Sequence, residues 1–321
     1  AEVILTVTLN AAIDRTVAVP NFRLGRRHRA VESRTVAGGK GINVARALNL
    51  LGRPGSATGF VGGPSGTRVL ETLHEESVLT DFIEIAAETR INLAMIDPTS
   101  GEQTEINERG PAVSAEETKR LFDRIGYLAG GARLCVLAGS LPPGAGDDLY
   151  ARLIDDLRRR GVPVVLDAEG EAMLAGVRAG AAMVTPNETE AEELVGQEFA
   201  DGTDLASGLL EIVRLGAEQA VITRPEGCVA AVGASGPERR LLEVHTEPLE
   251  PVSTVGSGDA FVAGYVAARY DGRSEEECLA YGVAAGAEST QHFGAGFVDR
   301  NQVERLLGGV SVHDLEVPAE V

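Results

Sequence analysis

Short apolar runs rich in β-branched residues alternate with segments of helical period along most of the chain, and this alternation constrains the fold more than any other feature. The runs are Val3–Leu9, Ala57–Val61, Leu134–Ala138, Val162–Leu166, Ala182–Val184 and Gln219–Thr223. Between them, Gly41–Leu51, Gly66–Glu76, Ala115–Ala129, Asp147–Arg159, Glu188–Val195 and Leu205–Leu215 repeat apolar residues at helical spacing. In Gly41–Leu51, for example, Ile42, Ala45, Leu48 and Leu51 share one face, and Gly52 stands where a helix ends. Consecutive parallel strands need a crossover, which a helix lying over the sheet supplies. The pattern therefore predicts an α/β chain with a mostly parallel central sheet and helices on both faces.

Two stretches break the alternation. Val17–Thr35 and Arg90–Glu108 are polar, β-branched and without helical period. They could be surface hairpins, or strands of a small β lid set apart from the main sheet. No repeat, low-complexity run or Pro-rich linker divides the 321 residues. The expectation is a single domain over 1–321, with lid segments at about 17–35 and 90–108.

Charge narrows the partners. Against 48 Asp and Glu stand 29 Lys and Arg, for a net charge of -19. Nucleic acid and anionic membrane both reward clustered basic residues, so neither is expected. No apolar run reaches the roughly 18–20 residues of a membrane span. The first apolar run lacks a basic flank, so no leader peptide is expected. Cys135, Cys228 and Cys278 are odd in number and far apart, which predicts neither a disulfide framework nor a zinc site and suggests the cytoplasm. Only two lysines, Lys40 and Lys119, accompany 27 arginines. That bias fits genome composition, or, with the acidity, a saline cytoplasm that screens charge.

Three motifs carry chemistry. In Ser253–Gly264, Gly256 and Gly258 bracket a turn that enters an apolar helical segment. Backbone N–H groups of such a turn, with the helix dipole, hold anions. Asp259 is out of place beside an anion unless it accepts a hydroxyl proton while the turn holds a transferring phosphoryl group; the plainer alternative is an acidic residue at a helix start. In Ala37–Ala45, glycines 38, 39 and 41 surround Lys40 at another helix start, where a cation is disfavoured unless an anion binds. It is neither the phosphate-loop nor the dinucleotide pattern, and a simple helix-entry turn is the alternative. In Thr185–Glu190, Asn187 and Glu190 share a face and could hold hydrated Mg²⁺ beside phosphates, or could form a capping box. Asp14 follows the first strand, Ser140 lies in the turn Gly139–Gly144, and Arg90 opens a lid segment. The five histidines show neither metal spacing nor pairing with Ser or Cys.

Taken together, the motifs resemble the PfkB family of ribokinase-like carbohydrate kinases, in the branch of 1-phosphofructokinase, tagatose-6-phosphate kinase and the minor-type 6-phosphofructokinase. The likeness runs from Val3 to about Gly294. Thr8–Asp14 resembles T-L-N-P-A-x-D, Gly38–Ala45 G-G-K-G-x-N-V-A, Gly139–Gly144 G-S-L-P-P-G, Pro186–Glu190 P-N-x-x-E and Val255–Asp259 V-G-A-G-D. The resemblance implies a three-layer α/β/α sandwich with a small β lid. It also implies ATP- and Mg²⁺-dependent phosphorylation of a ketohexose monophosphate, with fructose 1-phosphate giving fructose 1,6-bisphosphate. Tagatose 6-phosphate or fructose 6-phosphate, then an unphosphorylated sugar or nucleoside, are the alternative acceptors, and an inert sugar-phosphate sensor is the rival of another class.

By resemblance, Asp259 is the general base and the Gly256–Ser257–Gly258 backbone the anion hole. Asp14, Gly38, Gly39 and Asn43 grip sugar hydroxyls. Lys40, Arg90, Arg27, Arg29 and Ser140 bind the phosphate already on the sugar. Asn187, Thr223, Arg224, Glu226, Gly227 and Gly258 serve the nucleotide, and Asn187 and Glu190 place Mg²⁺ through water. Ser253, Val255, Ser289 and Gly294 are candidates for a monovalent cation such as K⁺, and the lid edge implies a homodimer.

Three positions depart from the family pattern. Ala11 replaces a proline, Thr185 stands where relatives often carry a phosphate-contacting lysine, and Thr223–Gly227 is a shortened nucleotide loop containing Pro225. Arg224 is expected to replace the charge missing at Thr185.

Overall fold

A computed structural model describes residues 2–316. Its elements, in chain order, are β1 (Val3–Thr8), β2 (Ala12–Ala18), β3 (Glu32–Gly38), α1 (Lys40–Leu50), β4 (Gly55–Gly62), α2 (Gly63–Glu75), β5 (Ile83–Ile85), β6 (Arg90–Ile96), β7 (Gln103–Asn107), α3 (Ala115–Ala129), β8 (Ala132–Ala138) and α4 (Leu149–Arg159). There follow β9 (Val164–Asp167), α5 (Gly170–Arg178), β10 (Met183–Val184), α6 (Glu188–Val195), α7 (Gly202–Leu215), β11 (Gln219–Arg224), β12 (Gly227–Val232), β13 (Arg240–His245), α8 (Ser257–Tyr270), α9 (Glu275–Ser289), α10 (Arg300–Leu307) and β14 (Ser311–Asp314).

Ten strands form one sheet in the order β14-β13-β12-β11-β10-β9-β8-β1-β4-β5. Pairing is parallel from β11 through β5, and β12, β13 and β14 extend one edge antiparallel. Side chains alternate across a strand, so each strand feeds two cores. Leu5 and Val7 of β1 join Leu121, Leu153, Val177 and Leu209 of α3, α4, α5 and α7 on one side. Ile4 meets Val44 and Leu48 of α1, with α8 and α9, on the other. Burying each such aliphatic side chain stabilises the fold by about 1.5–3 kcal/mol. The three-layer sandwich follows from that division of labour.

Helix α9 shows why some elements escape a search for periodicity. Every residue from Cys278 to Ala285 is buried, so no polar face exists to set a helical period. The antiparallel strands β12 to β14 also lie outside the sequence-based assignment.

A second sheet, in the order β3-β2-β6-β7, forms the lid. Its first segment is longer than the polar stretch Val17–Thr35. Strand β2 begins at Ala12 and β3 ends at Gly38, with the chain between them looping over residues 19–31. The polar pattern missed these ends because Ala12, Ile13 and Ala37 are buried, Ile13 and Ala37 against α1 and α2. This root matters for the site. Strand β2 leaves β1 within a few residues, and β3 runs straight into α1, so the lid and the first helix share one joint.

Candidate active site

Helices α1 and α8 start side by side at the carboxyl end of the parallel strands, where α/β sheets place their ligands. Each start follows a glycine with positive φ, Gly39 at 107° and Gly256 at 78°. At Gly256 any side chain would also collide with Ala295, whose Cβ lies 2.5 Å from the required Cβ position. The turn before α8 therefore depends on glycine for both angle and space.

The two starts meet at Asp259, which is 4% exposed. Asn43 Nδ2 donates to Asp259 Oδ2 at 2.8 Å. Lys40 Nζ lies 3.4 Å from Asp259 Oδ1 and 3.3 Å from Asp167 Oδ2. Among the described residues Oδ1 of Asp259 has no hydrogen-bond partner. The attraction of Asp167 and Asp259 holds Lys40 protonated well above its ordinary range, against the effect of burial. Burial in turn raises Asp167 to about 6, although Lys40 pulls it down. Asp167 is absent from the motif reading. Its signal in the sequence is a carboxylate that ends the apolar run of β9.

A cavity of about 330 Å³ opens between these groups and the lid. Asp14, Thr16, Asn92 and Glu105 line its lid side, Gly39, Lys40 and Asn43 its floor, and Gly256, Asp259, Gly294 and Ala295 its rear. Asn92 Nδ2 donates to Asp14 Oδ1 at 3.0 Å. Asp14 is nonetheless raised above its ordinary value because burial outweighs that bond and nearby Arg90. Gly38 does not line the cavity. A Cβ there would sit 1.9 Å from Asp14 Oδ2, so Gly38 clears the space that Asp14 occupies. Asn92 also escaped the motif reading, although it lies two residues from Arg90 and on the same strand face.

A smaller cavity of about 160 Å³ shares Lys40 and Arg90 and adds Asn10, Ser140, Asp167 and Glu190. Asn10 Nδ2 donates to Ser140 Oγ at 3.1 Å and to the Arg109 carbonyl at 2.9 Å. Arg90 donates from Nη1 to the Glu108 carbonyl and from Nη2 to the Asn10 carbonyl, both at 3.0 Å. Its buried Nε has no partner. Arg27 and Arg29 lie in the exposed loop between β2 and β3 and line none of these cavities.

The third cavity, about 580 Å³, lies behind α8. Ser257, Gly258, Asn187, Thr223, Arg224 and Gly227 supply polar lining, and Leu249, Phe261 and Val283 an apolar wall. Lys40 borders all three cavities. Asn187 and Glu190 form a reciprocal capping box on α6: Glu190 N donates to Asn187 Oδ1 at 2.8 Å, and Asn187 N to Glu190 Oε2 at 2.9 Å. The shortened loop is a tight hairpin, with Arg224 paired to Gly227 across Pro225 and Glu226. Arg224 faces three carboxylates, Glu188 at 3.0 Å, Glu226 at 3.1 Å and Glu243 at 4.0 Å. Its charge is thus balanced within the protein. Thr185 is buried, and its Oγ1 has no partner.

Of the candidates for a monovalent cation, Ser253, Val255 and Gly294 line the first cavity. Ser289 is buried and donates from Oγ to the Gly286 carbonyl at 2.7 Å. Among the described residues no group of three or more His, Cys, Asp or Glu could hold a metal ion, and no helix is long and apolar enough to cross a membrane.

Known proteins resemble this chain over nearly its whole length. Residues 5–301 match the description pfkB family carbohydrate kinase. The chain is 30% identical over 312 residues to a 1-phosphofructokinase of Borreliella burgdorferi, covering 97% of this chain and 99% of that one. It is 32% identical over 315 residues to a 1-phosphofructokinase of Bacillus subtilis, covering 96% and 99%. Among solved structures, phosphofructokinase-2 from Escherichia coli in complex with potassium superposes with a TM-score of 0.89 at 30% identity, over 96% of this chain and 99% of that one. The same enzyme in complex with fructose-6-phosphate gives 0.87 at 29%, with the same coverage. Ribokinase from Arabidopsis thaliana shares the fold, with a TM-score of 0.78 at 23% identity over 96% and 99%.

Proposed function

The chain belongs to the pfkB family of carbohydrate kinases and is therefore a phosphotransferase; from that premise we propose that it phosphorylates the free hydroxymethyl end of a ketohexose monophosphate, with ATP as donor, fructose 1-phosphate as acceptor and fructose 1,6-bisphosphate as product. The observation that carries this reading is Oδ1 of Asp259, which accepts no hydrogen bond among the described residues and has only the Lys40 ammonium 3.4 Å away, set between the lid-side cavity and the Gly256–Gly258 turn.

In this reading the sugar sits under the lid with Asp14 and Asn92 on its hydroxyls. Its own phosphate lies toward Arg90, Ser140 and Lys40. Asp259 Oδ1 accepts the proton of the acceptor hydroxyl as the new P–O bond forms and the bond from the γ-phosphorus to the leaving oxygen of ADP breaks. The ammonium of Lys40 offsets charge shared among the three cavities, and the N–H groups at the start of α8 face the transferring phosphoryl oxygens. ATP occupies the cavity behind α8, with its base along the wall of Leu249, Phe261 and Val283. The oxygen donors near the phosphates suit Mg²⁺ that keeps most of its waters, since Asp167, Asn187 and Glu190 do not form a closed cage. Bound there, the ion would offset phosphate charge, with Asn187 and Glu190 orienting its waters. Ser253, Val255 and Gly294 would supply oxygens to K⁺.

We also propose a homodimer through the outer lid face, where Ile91 and Ile106 are exposed, a single domain with the lid as its appendage, and a cytoplasmic location. A tetrameric inhibited form is known for the Escherichia coli phosphofructokinase-2.

The likeness to that enzyme, solved with fructose-6-phosphate, favours fructose 6-phosphate as a second reading. The deciding measurement is kcat/KM for fructose 1-phosphate, fructose 6-phosphate, tagatose 6-phosphate and free fructose, in wild type and in Arg90→Ala. Loss of a charged hydrogen bond should lower kcat/KM roughly 10–200-fold on the phosphorylated sugar that uses Arg90. Free fructose should be unaffected by the change. Should free fructose be the best wild-type substrate, or all four fall equally, the phosphosugar reading is wrong.

A further inference from the structure

One charged side chain next to the site is enclosed without lining any of these three cavities. Arg46 on α1 is 2% exposed and is among the largest fully buried side chains. A buried guanidinium is destabilising unless each of its N–H groups is met. All five are met here. Nε and Nη2 fork onto Glu76 at 2.6 and 3.1 Å, Nη2 donates to the Ala37 carbonyl at 2.7 Å, and Nη1 donates to the Ala295 carbonyl at 3.1 Å and to Asn43 Oδ1 at 3.3 Å. The ring of Phe297 covers the guanidinium at 4.9 Å.

The contact with Asn43 leads to the reaction centre. Asn43 turns its oxygen to Arg46 and its Nδ2 to Asp259 Oδ2. An amide has an acceptor end and a donor end. Reversed, it would set its oxygen against the Asp259 carboxylate and its NH₂ against a guanidinium, and both contacts would be repulsive. Arg46 and Asp259 therefore decide together which way Asn43 faces, Arg46 by holding its oxygen. Its other bonds fasten the same neighbourhood: Ala37 precedes Gly38 at the lid root, and Ala295 packs on Gly256.

We infer that Arg46 is a positioning residue for phosphoryl transfer, fixing the Asn43 amide so that it donates to Asp259 Oδ2 and leaves Oδ1 directed at the acceptor hydroxyl. This rests on the reading of Asp259 as the general base. The arrangement concerns the carboxylate that moves the proton, so its loss should appear in kcat and leave the grip on the sugar largely intact.

The test is a double-mutant cycle on the full chain, with kcat and KM measured for the best sugar phosphate at saturating ATP, and Tm recorded for each variant. Arg46→Lys keeps the charge facing Glu76 but cannot reproduce the guanidinium's fan of donors. It should lower kcat roughly tenfold or more, with sugar KM changed by less than about threefold. The defect should shrink to near nothing in an Asn43→Ala background, because the relay is already cut. A purely structural role would instead make the kcat losses multiply, and that result, a loss confined to KM, or an unchanged kcat overturns the inference. Where Arg46→Lys does not fold, Asn43→Asp decides, since it keeps an acceptor for Arg46 and replaces the donor to Asp259 by a carboxylate that repels it. Full activity of Asn43→Asp overturns the inference, and a loss in kcat at constant KM supports it. Asp259→Asn serves as the reference: if that variant stays active the base assignment fails, whereas a dead Asp259→Asn with a multiplicative Arg46–Asn43 cycle removes only the role of Arg46.

Discussion

The starts of α8 and α6 both border the third cavity and carry similar sequence signals, a turn followed by a carboxylate in the first helical turn, yet they end in different states. At α6, Asn187 and Glu190 satisfy each other's backbone in a closed box, and Arg224 beside them is balanced by three carboxylates. At α8, Gly256 offers no side-chain cap, and Asp259 keeps one oxygen without a hydrogen bond. Helix starts leave N–H groups open by default, and a capping side chain closes them. The α6 start spends one lone pair of each capping oxygen on its own backbone and offers the waters of a bound ion only what remains, whereas the α8 start keeps its N–H groups open for a ligand.

The strongest way to break this contrast is Asp259→Asn. As a general base it should be worth roughly 10²–10⁴-fold in kcat, with little change in sugar KM. A variant keeping more than a tenth of wild-type kcat would reduce Asp259 to an ordinary residue of a helix start.

Asp167 tests the same centre through pH. Its ordinary value is 3.8, and burial raises it to about 6 in the folded chain. The folded state thus holds this proton more tightly than the unfolded state. The stabilisation linked to it is full below pH 4 and is lost as pH rises to about 6. Asp167→Asn cannot titrate, so its Tm relative to wild type should climb between those pH values and then level off. Parallel Tm profiles from pH 4 to 7 would remove Asp167 from the ionisable centre.

On the closed side the effects should be small and mostly on stability. Asn187→Ala should cost about 1 kcal/mol through the lost cap, a Tm shift on the order of 2 °C, with kcat falling less than about tenfold. A loss of activity comparable to Asp259→Asn would show that α6 reaches the reaction as directly as α8 does. The smallest effect is expected at Arg224. Because its charge is already balanced, Arg224→Ala should change the KM for ATP by less than about threefold. A tenfold rise would restore the sequence-based expectation that Arg224 contacts phosphate.

The sequence alone determined the layered architecture and much of what gathers at the site. Strand and helix periods, glycine turns and helix starts are signals between residues at most four positions apart, so they can be read before the chain is folded. They set Lys40, Asn43 and Asp259 at the heads of helices, and they marked Asn187 and Glu190 as either a cap or a ligand pair. Only tertiary structure decided among such alternatives. Asn43 and Asp259 bond across 216 residues, and Asp167 joins Lys40 because β9 lies two places from β1 in the sheet. Glu243 approaches Arg224 from β13, and Arg46 meets Asn43 and Ala295 in a space enclosed by α1 and the chain after α9. Which oxygen stays open, which cation is balanced and which way an amide faces all depend on sheet order and helix packing. Local spacing specifies the groups, but contacts between distant segments set their surroundings, and those surroundings fix their chemistry.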